Sequence, residues 1–453
     1  MVKLNKKRRE QYTKFILEAL QASEKEAFRE AFLELHPSDQ SDVFMILDQE
    51  ARSQCYTYLT PKEFATIFGG LDVSHQKLYF LEMEETYAIE IFNNMFTDDI
   101  ANFLTEINSD RAAEILLKMD KEKARKVRGI LSHEHETAGS IMTKELISIS
   151  STETVGTVLE ELREEAPDAE IIYYLYVVDV DNVLVGVVSL RDLIISDPST
   201  IIEDIMSTNP VSVAVDMDQE DVGNLIKKYD FLAAPVVSKE NHLLGIVTVD
   251  DVMDILEDEA TEDFGEISAA KGATDVNISA FTAAKKRAPW IIALMFLGLI
   301  TGGVIGQFED TLEAVVLLAA FIPMIMDSGG NVGTQSLAVS VRGLALGNIE
   351  KNSIWRMVRR ELSTGAMIGF ICMIIIASIV TIFYGNWMLG LIVGVSILCT
   401  LSISAVVGAV FPLLINKLNF DPAIASGPFI TTINDVVGLL IYFTIATSLM
   451  SYL

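Results

Sequence analysis

Asp435 is the residue whose chemistry is most tightly constrained by its surroundings. It is the only charged residue between Pro422 and Leu453, a stretch long enough to cross a membrane. A carboxylate at bilayer depth costs at least about 2.5–3.5 kcal/mol, so such residues usually face a bundle interior or a water-filled path. We therefore predict a cation site at Asp435.

The residues around Asp435 favour a hard cation. Thr431, Thr432 and Asn434 carry oxygen atoms, and neither Cys nor His stands beside the carboxylate. Oxygen-only sites suit Mg²⁺ or Ca²⁺, whereas thiolate and imidazole suit softer metals. A proton relay through a lone carboxylate is the alternative interpretation.

An earlier apolar stretch, residues 314–341, carries the carboxylate of Asp327 and, one helical turn later, Asn331. Its other unusual residues are Pro323, Gly329, Gly330 and Gly333. They predict a loosened backbone, which at membrane depth is tolerated only inside protein or beside water. Close helix packing is the alternative for the glycines, whereas for Asn331 we favour the pore.

Five apolar stretches predict five membrane-spanning helices within residues 288–453. Basic residues precede the first helix and lie between the second and third and the fourth and fifth, whereas the other two loops have none. This alternation predicts a multi-pass protein of the plasma membrane, with residues 1–280 cytoplasmic and the C-terminus outside. An odd number of spans with one central carboxylate favours a homodimer, which brings two Asp435 side chains to one axis.

Charge is unevenly divided along the chain. Nine of the 34 basic and eight of the 63 acidic residues lie in residues 281–453, which leaves a net charge of −30 on residues 1–280. This balance argues against nucleic-acid binding and suits either solubility or cation binding. The three cysteines show no paired spacing, so no disulfide is expected, and no apolar signal segment follows the basic N-terminus.

An acidic run covers residues 250–266. At 3.6 residues per turn, Asp251, Asp254, Asp258 and Glu262 fall along one face, where like charges repel. A solvated linker is the ordinary interpretation of such a run. The more specific interpretation is an interface that divalent ions hold closed.

Two related blocks lie between residues 138 and 256. Each ends in a β-branched strand followed by a Ser/Thr-x-x-Asp element, Ser189 to Asp192 and Thr248 to Asp251. The blocks resemble tandem CBS domains of α/β fold, 138–200 and 201–256. The resemblance implies either a regulatory site for an adenine nucleotide such as ATP or a dimerising scaffold that binds nothing. The side chains that would line a nucleotide site are Tyr174, Arg191, Asp192 and Phe231.

Residues 1–137 predict an all-α superhelix. Short amphipathic units open near Pro37, Thr60, Phe96 and Asn108, each with a capping residue or proline close to its start. The sequence contains no Walker loop, Gly-rich dinucleotide turn or nucleophile elbow, so we do not expect an enzyme.

The order of these parts, together with Gly330-Asn331-x-Gly333-x-Gln335 and Asp435-x-x-Gly438 in the spans, resembles the MgtE family of magnesium channels. The resemblance implies a multidomain protein that forms a homodimeric pore. Its parts would be an all-α helical superhelix N domain (1–137), an α/β tandem CBS pair (138–256), an acidic linker and connecting plug helix (257–287), and a five-helix α transmembrane domain (288–453).

The resemblance also implies ligands for Mg²⁺. In the pore they would be Asp435, Asn331 and Glu313. In the cytoplasmic sensor they would be Asp98 or Asp99 on the helical domain, with Asp230, Asp251, Asp254, Glu259, Glu262 and Asp263. Bound Mg²⁺ would draw the acidic domains together so that the plug helix closes the pore. Asp327 departs from family members with a small neutral residue there.

The expected function is therefore magnesium-selective uptake gated by cytoplasmic Mg²⁺. Two alternatives stay open. One is a proton- or sodium-coupled transporter of another divalent metal, such as Mn²⁺ or Co²⁺. The other is a membrane-anchored nucleotide sensor that transports nothing.

Overall fold

The computed structural model describes residues 6–167, 169–270, 272–273, 278–345, 354–418 and 425–452. The chain divides into two compact units, Met1–Leu256 and Glu257–Leu453. Each unit has its own hydrophobic core.

The first unit opens with a succession of short helices, as the capping signals predict. They are α1 (Lys6–Gln21), α2 (Lys25–Leu33), α3 (Pro37–Met45), α4 (Gln49–Tyr58), α5 (Pro61–Gly69), α6 (Val73–Phe80), α7 (Glu85–Asn94), α8 (Thr97–Thr105), α9 (Ser109–Lys118) and α10 (Lys121–Leu131). Pro37 begins α3, and Thr60, Phe96 and Asn108 are the N-caps of α5, α8 and α9. At Thr60 a full capping box with Glu63 satisfies two backbone donors.

Aromatic side chains fill the core of this helical part. Phe44 meets Phe64 edge to face at a centroid distance of 4.9 Å, and Phe68 lies 5.9 Å from Phe103 on α8. Such pairs favour one packing geometry over others. The Arg29–Glu63 ion pair, 2.7 Å long, ties α2 to α5. The core thereby fixes α8, whose first turn carries Asp98 and Asp99.

Two small mixed sheets follow within the described residues of the first unit. The elements are α11 (Ala138–Ile141), β1 (Ser148–Ser150), α12 (Val155–Glu165), β2 (Tyr174–Val178), β3 (Leu184–Ser189), α13 (Leu190–Ile195), β4 (Ser207–Thr208), β5 (Val213–Ala214), α14 (Gln219–Tyr229), β6 (Ala233–Val237) and β7 (Leu243–Thr248), with a 3₁₀ turn at Ile202–Asp204. The next helix, α15 (Val249–Ile267), begins in the first unit and extends past its end at Leu256. The strand orders are β1-β2-β3-β4 and β5-β6-β7. In each sheet the first pair is parallel and the second antiparallel.

The two sheets confirm the internal repeat. Tyr174 pairs with Ser189 in one sheet as Ala233 pairs with Thr248 in the other, and both ladders shift register before their last pair. The hairpin turns also mirror each other: the Asn182 amide donates to the Leu243 carbonyl at 2.9 Å. The corresponding Asn241 amide donates to the Leu184 carbonyl at 2.8 Å.

The second unit is helical. Its elements are α16 (Ala280–Gln307), α17 (Glu309–Ala314), α18 (Ile322–Ala345), α19 (Ile354–Tyr384), α20 (Trp387–Lys417) and α21 (Gly427–Leu449), with 3₁₀ segments at Val316–Phe321 and Met450–Tyr452. Judged by length and apolar composition, five helices in the described part of this unit could cross a membrane, as the sequence predicts. Gly385, with a left-handed φ of 69°, separates α19 from α20.

The loosened backbone expected in the second span is found beside Pro323 but not at the glycines, because the span Val316–Leu344 changes from a 3₁₀ segment (Val316–Phe321) to an α-helix at Ile322. α18 is one continuous helix from Ile322 to Ala345, and Pro323 stands in its first turn, where no intrahelical donor is needed. The glycines serve packing instead. A Cβ at Gly329 would lie 3.0 Å from Thr400 on α20, and one at Gly330 would lie 2.6 Å from Thr431 on α21.

This packing predicts opposite effects of alanine at two glycines. A Cβ at Gly408 would overlap the Gly333 carbonyl oxygen, whereas one at Gly302 would meet no atom within 4 Å. We expect Gly408→Ala to lower the stability of the membrane unit by about 1–3 kcal/mol. Gly302→Ala should be neutral or slightly stabilising, because alanine favours the helix. Thermal unfolding of the full chain in detergent measures both, and equal effects would contradict the packing.

Candidate metal sites

Three carboxylates meet in the first unit. One oxygen each from Asp98, Glu170 and Asp251 lies within 4.8 Å of the others. Asp98 is buried, with 8% of its side chain exposed, and the other two are half-buried. The spacing and the all-oxygen donors suit a hard divalent cation such as Mg²⁺. We call this group the acidic cluster.

Each carboxylate is placed by a different element. Asp98 lies in the first turn of α8, where a helix N-terminus favours negative charge. Asp251 lies in the first turn of α15, directly after β7, and accepts a hydrogen bond from the Thr248 hydroxyl. Glu170 lies in the loop between α12 and β2, and its backbone N–H donates to the Glu145 carbonyl at 2.9 Å.

Two buried oxygens of the acidic cluster, Asp98 Oδ1 and Glu170 Oε2, have no hydrogen-bond partner among the described residues. Burial raises the pKa of Asp98 well above its ordinary value, and the charges of Glu170 and Asp251 add to the shift. Burial also raises the pKa of Glu170 to about 8 and that of the neighbouring Asp99 to about 7. The acidic cluster therefore needs protons or a cation at neutral pH.

Glu145, close by, shows what a fully satisfied carboxylate looks like in this unit. Its oxygens accept hydrogen bonds from Thr97 Oγ1 at 2.6 Å, Thr143 Oγ1 at 3.0 Å and Lys123 Nζ at 3.0 Å. Burial favours the neutral acid, but the charge of Lys123 and the bond from Thr97 outweigh it and hold the pKa of Glu145 below its usual value. Protein groups alone keep this carboxylate ionised, which they do not do for the acidic cluster.

The predicted sensor residues fall into three groups. Asp98, Asp99 and Asp251 come together, and the charge of Asp254 acts on both Asp99 and Asp251. Asp230 is exposed at the end of α14, where it has a left-handed φ of 54°. The remaining three lie farther along α15: Glu259, Glu262 and Asp263.

Sequence reasoning missed Glu170. It stands in an irregular loop, outside any helical or strand periodicity, and no spacing connects it to Asp98 or Asp251. The second Ser/Thr-x-x-Asp element did carry a signal, because it places Asp251 in the acidic cluster.

The predicted nucleotide residues are distributed over both repeats. Tyr174 begins β2, and Phe231 follows α14, stacked on Tyr229 at 5.4 Å. Asp192 accepts a 2.6 Å hydrogen bond from the Ser189 hydroxyl and thereby caps α13, while Arg191 beside it is exposed. The first Ser/Thr-x-x-Asp element is thus a helix cap in this structure.

In the second unit, Asp435 lies in the first half of α21, which packs against α18 and α20. Asn331 donates a 3.2 Å hydrogen bond to Asp327 Oδ2, and the charge of Asp327 acts on Asp435. Asp327, Asn331 and Gln335 are each exposed and succeed one another at four-residue spacing. They form a polar stripe along one face of α18.

Other polar residues near Asp435 point elsewhere. The hydroxyls of Thr431 and Thr432 donate to backbone carbonyls one turn back, each at 2.9 Å. Asn434 is fully buried against Gly333. Glu313 stands on the separate short helix α17 and is exposed.

Residues 322–445 match the MgtE family, described as divalent cation transporters. Residues 35–136 match the MgtE intracellular N domain, and residues 138–197 and 202–258 match CBS domains. Fold and sequence thus define a multi-pass membrane protein of the divalent-cation transporter class.

Whole-chain similarity names the family. The chain is 41% identical to the magnesium transporter MgtE of Enterococcus faecalis over 96% of this chain and 97% of that one. It therefore belongs to the MgtE family. The chain also resembles the crystal structure of the soluble part of a magnesium transporter, at 42% identity and a TM-score of 0.54 over 56% of this chain and 99% of that one. It also resembles the cytosolic domain of the Mg²⁺ channel MgtE in complex with ATP, at 37% identity and a TM-score of 0.51 over 54% and 99%.

The raised pKa values of the acidic cluster predict how stability depends on pH. A folded chain that binds more protons than the unfolded chain loses free energy of unfolding as pH rises. This loss should run from the unfolded carboxyl pKa of about 4 through the raised folded values of Asp99 and Glu170, about 7 and about 8. Without divalent cations, the full chain should therefore unfold at a lower temperature at pH 8 than at pH 5.5, and Mg²⁺ should stabilise it more at pH 8.

Calorimetry of the wild type and of a Glu170→Gln variant measures this difference. The variant should show a flatter pH dependence. A Mg²⁺-free wild type that is more stable at pH 8 than the variant, by a margin that grows with pH, would contradict the account.

Proposed function

We propose that this chain carries Mg²⁺ into the cell across the plasma membrane and that cytoplasmic Mg²⁺ closes its pathway. Its similarity to a named magnesium transporter over nearly the whole chain supports the transported ion. The observation that carries the regulation is the acidic cluster, in which two buried oxygens have no partner among the described residues.

The regulatory step follows from the charges of the cluster. Without a cation, Asp98 on α8 and Asp251 on α15 stay close only while protons neutralise the acidic cluster. When the cluster ionises, the carboxylates repel each other and the helical part and the CBS part of the first unit move apart. A bound Mg²⁺ offsets that repulsion and stabilises the closed arrangement by mass action. Asp254, Glu259, Glu262, Asp263 and Asp230 serve as further sensor ligands, and residues 257–287 act as the connecting plug.

The polar stripe of α18 supports a permeation path shared by two copies. Asp327, Asn331 and Gln335 are exposed in the single chain, and a polar, charged face cannot stably contact lipid. A homodimer would enclose the stripe and bring two Asp435 carboxylates together, with Asn331 and Glu313 as additional oxygen ligands. Because Mg²⁺ dehydrates reluctantly, the carboxylates would hold it through its water shell.

We infer that ATP is the regulatory ligand, because the similar cytosolic domain of the Mg²⁺ channel MgtE was crystallised in complex with ATP. In this chain Tyr174 and Phe231 would stack on the base, while Arg191 and Asp192 would contact phosphate and ribose.

The permeation proposal predicts the effect of removing one charge. Asp435→Asn keeps the size of the side chain and removes the carboxylate, so Mg²⁺ flux into liposomes should fall at least tenfold. Ser448→Ala, which changes an exposed residue of the same helix, is the matched control. Wild-type flux in Asp435→Asn would exclude Asp435 from the pathway.

The sensor proposal predicts a shift in Mg²⁺ sensitivity. Asp251→Asn removes one ligand of the acidic cluster, so half-suppression of flux should need about tenfold more Mg²⁺ on the cytoplasmic face, the factor expected for a loss of ~1.4 kcal/mol. Asp110→Asn, which neutralises an exposed acid in the first turn of α9, should leave this concentration unchanged. If both variants shifted this Mg²⁺ concentration equally, the effect would come from the net charge of the chain and not from the acidic cluster.

A further inference from the structure

Besides the half-buried Asp435, whose Oδ1 has no hydrogen-bond partner among the described residues, three fully buried polar side chains of the second unit lack partners. Asn434 is completely buried, and neither its Oδ1 nor its Nδ2 has a hydrogen-bond partner among the described residues. The hydroxyls of Thr400 and Ser404, whose side chains are 1% and 0% exposed, are unpartnered in the same part of the chain. Burial of polar groups without partners is strongly unfavourable, above all at membrane depth.

These three side chains converge on α18. A Cβ at Gly329 would lie 3.0 Å from Thr400 Cγ2 and 3.1 Å from Ser404 Oγ, while Gly333 lies directly against the Asn434 amide. Thr400 also approaches Gly438 on α21, at 3.0 Å from a Cβ built there. Ser404 Oγ and the Asn434 amide therefore face the glycines of α18, while the Thr400 hydroxyl oxygen lies 3.8 Å from a Cβ built at Gly438 of α21. We call this region between α18, α20 and α21 the seam.

The two hydroxyls avoid the bond that is normally available to them. Elsewhere on α20, Ser396 and Ser402 donate to carbonyls one turn back, at 2.7 Å each. Such local bonds usually satisfy hydroxyls inside membrane helices. Thr400 and Ser404, one turn apart, instead leave their oxygens in the seam. The hydroxyl groups of Thr400 and Ser404 are therefore available to a ligand between the helices.

We propose that α18, α20 and α21 bind water in this seam, held by Asn434, Thr400 and Ser404. The donor set selects water over a metal ion. A cation would satisfy the hydroxyl oxygens and Asn434 Oδ1 but would leave the Nδ2 hydrogens unpaired and face them with like charge. Water accepts from Nδ2 and donates to Oδ1, and buried waters typically make about three such bonds.

The bound water gives α21 a polar anchor on its buried face, where Asn434 packs against α18. Asn434 precedes Asp435, and consecutive residues of a helix point about 100° apart. Water held by Asn434 therefore fixes the rotation of α21 about its axis. The seam lies in the core of the membrane unit, and water binding there does not depend on which ion is transported.

Isosteric removal of the hydroxyls tests the proposal, because a wet seam and a dry seam predict opposite changes in the unfolding temperature. Thr400→Val and Ser404→Ala keep the packing and remove the oxygen. If water fills the seam, each variant loses a hydrogen bond and should lower the apparent unfolding temperature of the full chain in detergent. If the seam is dry, each variant removes an unpartnered polar group and should raise it. Ser396→Ala, equally buried but bonded within its own helix, is the control and should change stability least.

Radiolytic footprinting in ¹⁸O-labelled water gives a readout that does not depend on variant stability. Radicals formed from bound water should oxidise Ile430, which is 0% exposed and lies beside Gly333. Oxidation of Ile430 in the wild type that is lost in a Thr400→Val/Ser404→Ala double variant supports the proposal. Three results would overturn the proposal. They are higher unfolding temperatures in the variants, an Ile430 that takes up no ¹⁸O, or a wild type that is stable in Na⁺ but not in choline, which would indicate a bound cation in place of water.

Discussion

Burial of like charge in the acidic cluster is the constraint on which the first unit depends. Asp98, Glu170 and Asp251 come from a helix, a loop and a second helix that are distant in sequence, and the fold brings their oxygens within 4.8 Å. Such an arrangement is stable only when protons or a cation offset the repulsion. On the function proposed above, cation concentration would therefore act directly on the contact between the helical part and the CBS part.

The neighbouring Glu145 shows why this behaviour is specific to the acidic cluster. Lys123 and the hydroxyls of Thr97 and Thr143 satisfy Glu145 without any ion. Thr97 directly precedes Asp98, so a permanently satisfied contact and an ion-dependent one stand side by side at the start of α8. The permanent contact keeps α8 near the CBS part, while in the proposed mechanism the acidic cluster would set how closely the two parts associate.

Much of this architecture could be predicted from the sequence because it rests on local or repeated signals. Capping residues such as Thr60 and Asn108 set helix starts, and unbroken apolar stretches set the five candidate spans. Glu170 could not be predicted, because only tertiary packing brings a loop acid to Asp98. The glycines of α18 were ambiguous for a similar reason: close packing and a broken helix both use glycine, and only the positions of Thr400 and Thr431 distinguish them.

Linked proton release on Mg²⁺ binding is the most direct test of the account. The full chain would be titrated calorimetrically at pH 7 in two buffers of different ionisation enthalpy, beside a triple variant Asp98→Asn/Glu170→Gln/Asp251→Asn. Because the pKa values of Asp98 and Glu170 are raised in the metal-free state, Mg²⁺ should displace protons from the wild type and far fewer from the variant. Wild-type heats that are identical in the two buffers, or equal proton release from both proteins, would contradict a cation site at the acidic cluster.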